Sequence, residues 1–162
     1  MSASEPYARL RPPAPTPSED LCACTDDGPL LLMSRLGPNP IACARCNREV
    51  APERLQLPAA LADAVADWRG FHDCFYLLWL DSGEYEDWSL RILSNPTSPV
   101  NTRGLSLRAE LDLLRRTYFG WFRETATATV EPLSVCPVCS RVLEDRGLVG
   151  RVCERCSVLR MG

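Results

Sequence analysis

The chain has 162 residues, 46% of them hydrophobic and 24% charged, with a formal net charge of -3. This length suits one compact core or a helical core with small metal-stapled lobes, and it argues against two large independent domains. The ordinary apolar and charged content fits neither a disordered chain nor a membrane protein: the longest strongly apolar stretch, Phe75 to Leu80, is far shorter than the roughly 20 residues of a bilayer span.

Residues 1–19 are rich in Pro, Ser and Ala, carry no periodicity, and are expected to form a disordered tail. They hold no apolar signal region and no small-residue cleavage site, so the expectation is a cytoplasmic protein whose thiols stay reduced. All eighteen basic residues are arginine. That bias points to a high-GC bacterial genome more than to a function.

Residues 20–57 begin with Cys22-x-Cys24 and Cys43-x-x-Cys46, which bracket apolar runs broken by Gly28-Pro29 and Gly37-Pro38. Runs this short between glycine and proline predict two strands joined by turns. Pro58 then opens a helix on which Leu61, Val65, Trp68, Phe75 and Leu78 recur at helical intervals, with Gly70 a candidate bend. Asp81-Ser82-Gly83-Glu84 has the form of a capping box for a second helix carrying Tyr85, Trp88 and Ile92, which should stop before Asn95-Pro96. The stretch SNPTSPVNTRG is expected to be a polar loop. Leu107, Leu111 and Leu114 mark a third helix, with Arg108 and Asp112 spaced to pair on it.

From residue 118 the aromatic run Tyr118 to Glu124 predicts a strand that feeds a C-terminal ribbon. The expected fold class is α+β: a three-helix central region at 58–117 flanked by two four-cysteine zinc-ribbon β-hairpin lobes, at 20–57 and within 118–162.

The nine cysteines carry the strongest signal. Cys136-Pro-Val-Cys139, thirteen residues, then Cys153-Glu-Arg-Cys156 matches two knuckles at the ends of a hairpin, with Gly147 and Gly150 available for its turn. Two facing knuckles aim four thiolates at one tetrahedral ion and leave no open position for substrate. Cys22, Cys24, Cys43 and Cys46 form a second such set, although the CxC spacing is tighter than usual. A competing set uses Cys24, Cys43 and Cys46 with His72 or Cys74. Two structural zinc ions are the expected cofactors, with iron in a rubredoxin-like site the alternative. Knuckles of this type favour glycine after the second cysteine, where φ is positive; Asn47, Ser140 and Ser157 stand there instead.

Other reactive groups read as structural. His72, the single histidine, is expected to be a partly buried helical side chain hydrogen-bonded locally, and Cys74 a small buried hydrophobe. Glu84, Glu86 and Asp87 suit the start of a helix. One histidine builds no general-base array, and no phosphate-binding glycine loop or small-molecule site is evident, so the chain is expected not to be an enzyme.

Candidate partner-binding residues are Arg141, Arg146, Arg151, Arg155 and Arg160 on the ribbon, with Trp121 and Arg123 sharing one face of the aromatic strand. Opposing this, the middle of the chain is acidic, and two filled four-thiolate sites would bring the total to about -7. Nucleic acid and a protein partner therefore both stand as partner classes, the second as an adaptor, regulator or immunity-type inhibitor.

The order of CxC, CxxC, a Leu-Pro entry into a Trp-bearing helix, LWLDSGEYEDWSLRILSNPTSPVNTRGL, an aromatic strand and a closing CPxC with CxxC resembles an uncharacterised bacterial family. That family is described as zinc-ribbon-containing with a proposed nucleic-acid-binding role. The resemblance runs from about Leu21 to the C-terminus, and it implies the same eight cysteines as ligands. The absent knuckle glycines and the ending SVLRMG depart from the pattern.

Overall fold

The computed structural model describes residues 14–35, 37–123 and 134–161; most of the N-terminal tail expected to be disordered lies outside them. Two three-residue strands, β1 (Leu30–Leu32) and β2 (Ile41–Cys43), pair antiparallel with Leu31 opposite Ala42, as the short apolar runs predict. The chain then crosses over through α1 (Ala59–Asp81), α2 (Glu86–Ser94) and α3 (Pro99–Asp112) to β3 (Thr117–Gly120). Strand β3 lies parallel to β1, with Leu31 beside Tyr118. Parallel neighbours need such a long connection, since no tight turn can join them.

The C-terminal part adds β4 (Glu144–Asp145), β5 (Gly150–Cys153) and β6 (Val158–Met161). Strand β6 runs parallel to β3 and antiparallel to β5, which gives one six-stranded sheet in the order β2-β1-β3-β6-β5-β4. The two cysteine-bearing ribbons are thus not separate appendages. They are the two wings of a single sheet, joined in the middle by the aromatic strand.

Alternation along the strands sorts their side chains between two faces. Leu30, Leu32, Ile41, Phe119 and Val158 meet Leu61, Val65 and Trp68 of α1 and Leu107 and Leu111 of α3 on one face. Leu31, Ala42, Tyr118, Val152 and Leu159 form a second buried cluster on the other. The helical layer over the sheet consists of two helices, not the expected three. The nine-residue α2 packs on α1, and none of its residues joins the cluster on the sheet. Between α1 and α3 the close approach occurs at Gly104, where a Cβ would sit 2.4 Å from Phe119 and 2.8 Å from the Trp68 indole nitrogen. That indole donates to the Val100 carbonyl at 2.8 Å.

Several local expectations change. The segment from Pro99 to Gly104 is not loop but the first turns of α3: Ser98 is its N-cap, accepting from the Asn101 N–H, and Pro99 sits where its missing N–H is harmless. The buried Asn101 amide donates to the carbonyls of Leu93 and Asn95, both at 2.9 Å, and so closes the end of α2. Leu114 falls beyond α3 and is half exposed. Asp81 ends α1 and caps nothing; the turn before α2 is held by Ser82 Oγ, which accepts from the Tyr85 N–H, and Glu86, which accepts from the Gly83 N–H. Helix α1 passes through Gly70 unbroken and outruns the sheet, so Phe75 and Leu78 are only half buried. Cys74 is exposed, not buried, with its thiol directed back to the Gly70 carbonyl. Arg108 and Asp112 do pair, at 3.5 Å.

Candidate functional site

The first cysteine cluster is assembled by β2 and the loop ahead of β1. Cys43 ends β2 and Cys46 closes the knuckle that follows; Cys22 is tied alongside by its N–H donating to the Glu49 carbonyl at 2.7 Å. Arg54, on the short 3-10 turn Pro52–Arg54, donates to the carbonyls of Cys22 and Cys24 at 2.7 and 2.8 Å and so fixes the tight CxC loop. The second cluster draws Cys136 and Cys139 from a knuckle closed by the Cys136 N–H on the Arg141 carbonyl, and Cys153 and Cys156 from the turn between β5 and β6.

In each set the four Sγ atoms lie within 4.8 Å of one another. Zinc–sulfur bonds of about 2.3 Å place the corners of a tetrahedron about 3.8 Å apart. The Cys139 and Cys153 sulfurs are separated by 3.6 Å, near that edge and far from the roughly 2.05 Å of a disulfide. Both sets therefore fit a metal ion in a closed four-sulfur cage. All eight cysteines pack on the helix-side core. The competing set through His72 or Cys74 does not form: Cys22 is in the cluster, His72 lies against Trp68 at 5.6 Å between ring centroids, and Cys74 faces outward.

The thiols are electrostatically uneven. The Arg141 N–H, with neighbouring thiols, draws Cys139 down to about 7. Hydrogen bonds with Cys22 and Cys46, together with the charge of Cys43, push Cys24 up to about 12. Burial, followed by Cys139 and the charges of Cys136 and Cys153, likewise raises Cys156. Four crowded sulfurs give up their first protons readily and resist losing the last, a conflict that a divalent cation at the centre removes.

All three knuckles take the left-handed turn expected of them. φ is 58° at Asn47, 59° at Ser140 and 51° at Ser157. Asn47 is held by Arg35, whose guanidinium donates to its side-chain and main-chain oxygens at 3.0 and 2.7 Å. Ser157 is buried and its hydroxyl accepts from Arg116 at 3.0 Å.

The structure divides the candidate partner-binding arginines. Arg151 and Arg160 face each other across β5 and β6. Arg160 has its proton affinity lowered by burial and by the charge of Arg123, so a third guanidinium is close by. Among the described residues none of these three forms an ion pair. Arg146 is instead neutralised by Glu144 at 2.6 Å, and Arg141 and Arg155 sit exposed on the knuckles at the cysteine end of the ribbon. Trp121, expected to share an open face with Arg123, is buried against Phe119.

Two features escaped sequence reasoning. Glu154, between the last two cysteines, accepts from Arg116 at 2.7 Å and from the Tyr118 hydroxyl at 2.8 Å, tying the C-terminal knuckle to the turn after α3 and to β3. The other is a groove flanked by Tyr76, Trp79 and Phe122. The spacing of Tyr76 and Trp79 on α1, off the stripe of buried residues, was the available signal.

No family model matches this chain, and comparison with curated proteins and with solved structures gives no significant match. Among the described residues, no helix is long and apolar enough to cross a membrane.

Proposed function

We propose that this chain is a non-catalytic zinc protein of the cytoplasm that binds nucleic acid, its two ribbons held by one zinc each through Cys22, Cys24, Cys43 and Cys46 and through Cys136, Cys139, Cys153 and Cys156. Four thiolates close each cage, which suits a structural ion and leaves no position for a reacting group. The observation that supports the partner class is the row Arg151, Arg160, Arg123. Like charges directly opposite on a sheet are unfavourable, so an arginine pair at one register position, with no ion-pair partner among the described residues, suits an anion laid across it. A phosphate backbone supplies such anions in series, and the half-exposed Phe122 and Trp79 nearby add surfaces on which bases stack. The motif resemblance points the same way.

The test is fluorescence anisotropy of a mixed-sequence single-stranded RNA oligonucleotide titrated with the zinc-loaded chain at several salt concentrations. Binding should weaken with salt, and Arg151→Ala and Arg160→Ala should each reduce the logarithmic salt slope by about 0.7. Absence of binding at low salt removes the reading.

A protein partner is the second reading, favoured by the far end of the helical layer. Leu77, Leu80, Tyr85 and Trp88 are between 43% and 64% exposed there, an apolar surface that monomers usually cover. Recovery of a stoichiometric partner that Leu77→Asp releases, with RNA binding absent, would favour it.

A further inference from the structure

The arginine row borders a cavity that the sequence did not announce. Between the C-terminal half of α1 and the segment leaving β3 lies a space of about 300 Å³ walled by Tyr76, Trp79, Trp121 and Phe122, with His72 and Arg123 among its lining. That size is at the low end for small-molecule sites. Trp79 and Phe122 meet edge to face at 5.0 Å between centroids, Tyr76 and Phe122 at 6.5 Å, and Tyr76 is tilted 50° from Trp79. No pair of these rings stacks flat, and all three are only half buried.

The polar groups are unusual for so apolar a place. His72 is only 7% exposed, and among the described residues its Nδ1 has no hydrogen-bond partner and the buried Nε of Arg123 has none either. A buried polar atom left unpaired is unfavourable by about 1–3 kcal/mol, and in native proteins it commonly marks a place where a ligand or water completes the bond. Burial holds the imidazole neutral, since its pKa falls to about 4, so at neutral pH it offers one donor and one acceptor. A second cavity of about 340 Å³ shares Ser34 and Tyr76 with the first; its Arg69 is paired with Asp73 at 2.9 Å and its Arg35 is bonded to Asn47. The two cavities adjoin at Ser34 and Tyr76, and the groove with the aromatic walls has Arg123 at its end.

A flat ring with a hydrogen-bonding edge and an anionic group beside it matches all of these features. A simple anion leaves the aromatic walls unused, and an aliphatic chain leaves the imidazole Nδ1 and the Arg123 Nε unpaired; the Arg123 Nη1 already donates to the Met161 carbonyl at 3.3 Å. We infer that this groove takes one unstacked base of a single-stranded nucleic acid, the base against Tyr76, Trp79 and Phe122 with its edge toward His72, and the adjoining phosphate on Arg123. The inference rests on the nucleic-acid reading above and names the strand type and the pocket. It also separates the duties of the surface, with Arg151 and Arg160 holding backbone and the groove holding a base.

The experiment uses the zinc-loaded full chain and single-stranded oligonucleotides bearing one 2-aminopurine, whose fluorescence is quenched when the base stacks. Binding should quench the probe. Trp79→Leu and Phe122→Leu should each weaken binding by about 5-fold to 150-fold, the range of one lost base stack, with the salt slope unchanged. Zinc content and circular dichroism confirm that the variants fold. Normal affinity in Trp79→Leu and Phe122→Leu with an unquenched probe overturns the pocket while leaving the phosphate row standing. Equal affinity for a duplex of the same sequence overturns it as well. Failure of any oligonucleotide to bind at low salt removes both readings together.

Discussion

Ser140 illustrates how a single residue can carry a local strain. Its φ of 59° belongs to the left-handed region, which disfavours a side chain by about 1–2 kcal/mol, and Ser140 is exposed, with no side-chain hydrogen bond recorded among the described residues. Ser140→Gly should therefore raise stability, by up to about 1 kcal/mol once the extra freedom glycine gives the unfolded chain is set against the relief. Urea denaturation of the zinc-loaded protein measures it. Ser157→Gly should gain less, because it also removes the hydroxyl that accepts from Arg116. His72 provides a second residue-scale prediction. Burial lowers its pKa from 6.5 to about 4, against the weaker opposing pull of Asp73. Between those values the unfolded chain binds a proton that the folded chain does not, so stability falls as pH is lowered through that window, by on the order of 3 kcal/mol. Acid also protonates the cysteine thiolates of the two clusters, so the informative quantity is the difference between wild type and His72→Gln. The variant should lose less stability between pH 6.5 and 4; parallel curves would show that His72 is solvated.

At the scale of elements, the contact between α1, α3 and β3 decides how close the helical layer can approach the sheet. Gly104 permits it, since a methyl group there would overlap Phe119 and the Trp68 indole. Both neighbours are fully buried large rings with no space to retreat. Gly104→Ala should destabilise the fold by about 1–3 kcal/mol through overpacking, even though alanine is the better helix former, and thermal unfolding reads the loss. The glycine was visible in the sequence as part of a supposed loop. The start of that helix is hidden in the sequence because its N-cap and first-turn proline, Ser98-Pro99, have the composition of a turn, and because Asn101 is polar although the fold buries it to close α2. The short strands were easier, because glycine and proline delimited them.

For the molecule as a whole, the continuous sheet couples the two cysteine clusters. Strand β3 is hydrogen-bonded to β1 on one side and β6 on the other, so disorder at either ribbon exposes the middle. Structural zinc supplies on the order of 10 kcal/mol to a small four-ligand site. Cys139→Ser should lower bound zinc from two ions per chain to one. It should also speed hydrogen exchange in β1, in the opposite ribbon, as well as in β5 and β6. Unchanged protection of β1 would mean that the two wings unfold independently. Cys22→Ser should remove the other ion; a retained count of two would restore the arrangement in which Cys22 is not a ligand.

The amino-acid sequence alone determined the C-terminal set of four cysteines, the grouping of Cys24 with Cys43 and Cys46, the positive φ after each knuckle, and the hairpin of β1 and β2. These depend on spacing within a few residues, where chain geometry leaves few options. Only the tertiary structure decided that the ribbons share one sheet, that α2 stays off it, that Trp121 is buried while Arg123 lies close to Arg160, and that Arg116, Tyr118 and Glu154 meet. Each of these follows from which distant strands become neighbours, and long-range pairing is set by how the whole core packs together, which no local pattern of residues encodes.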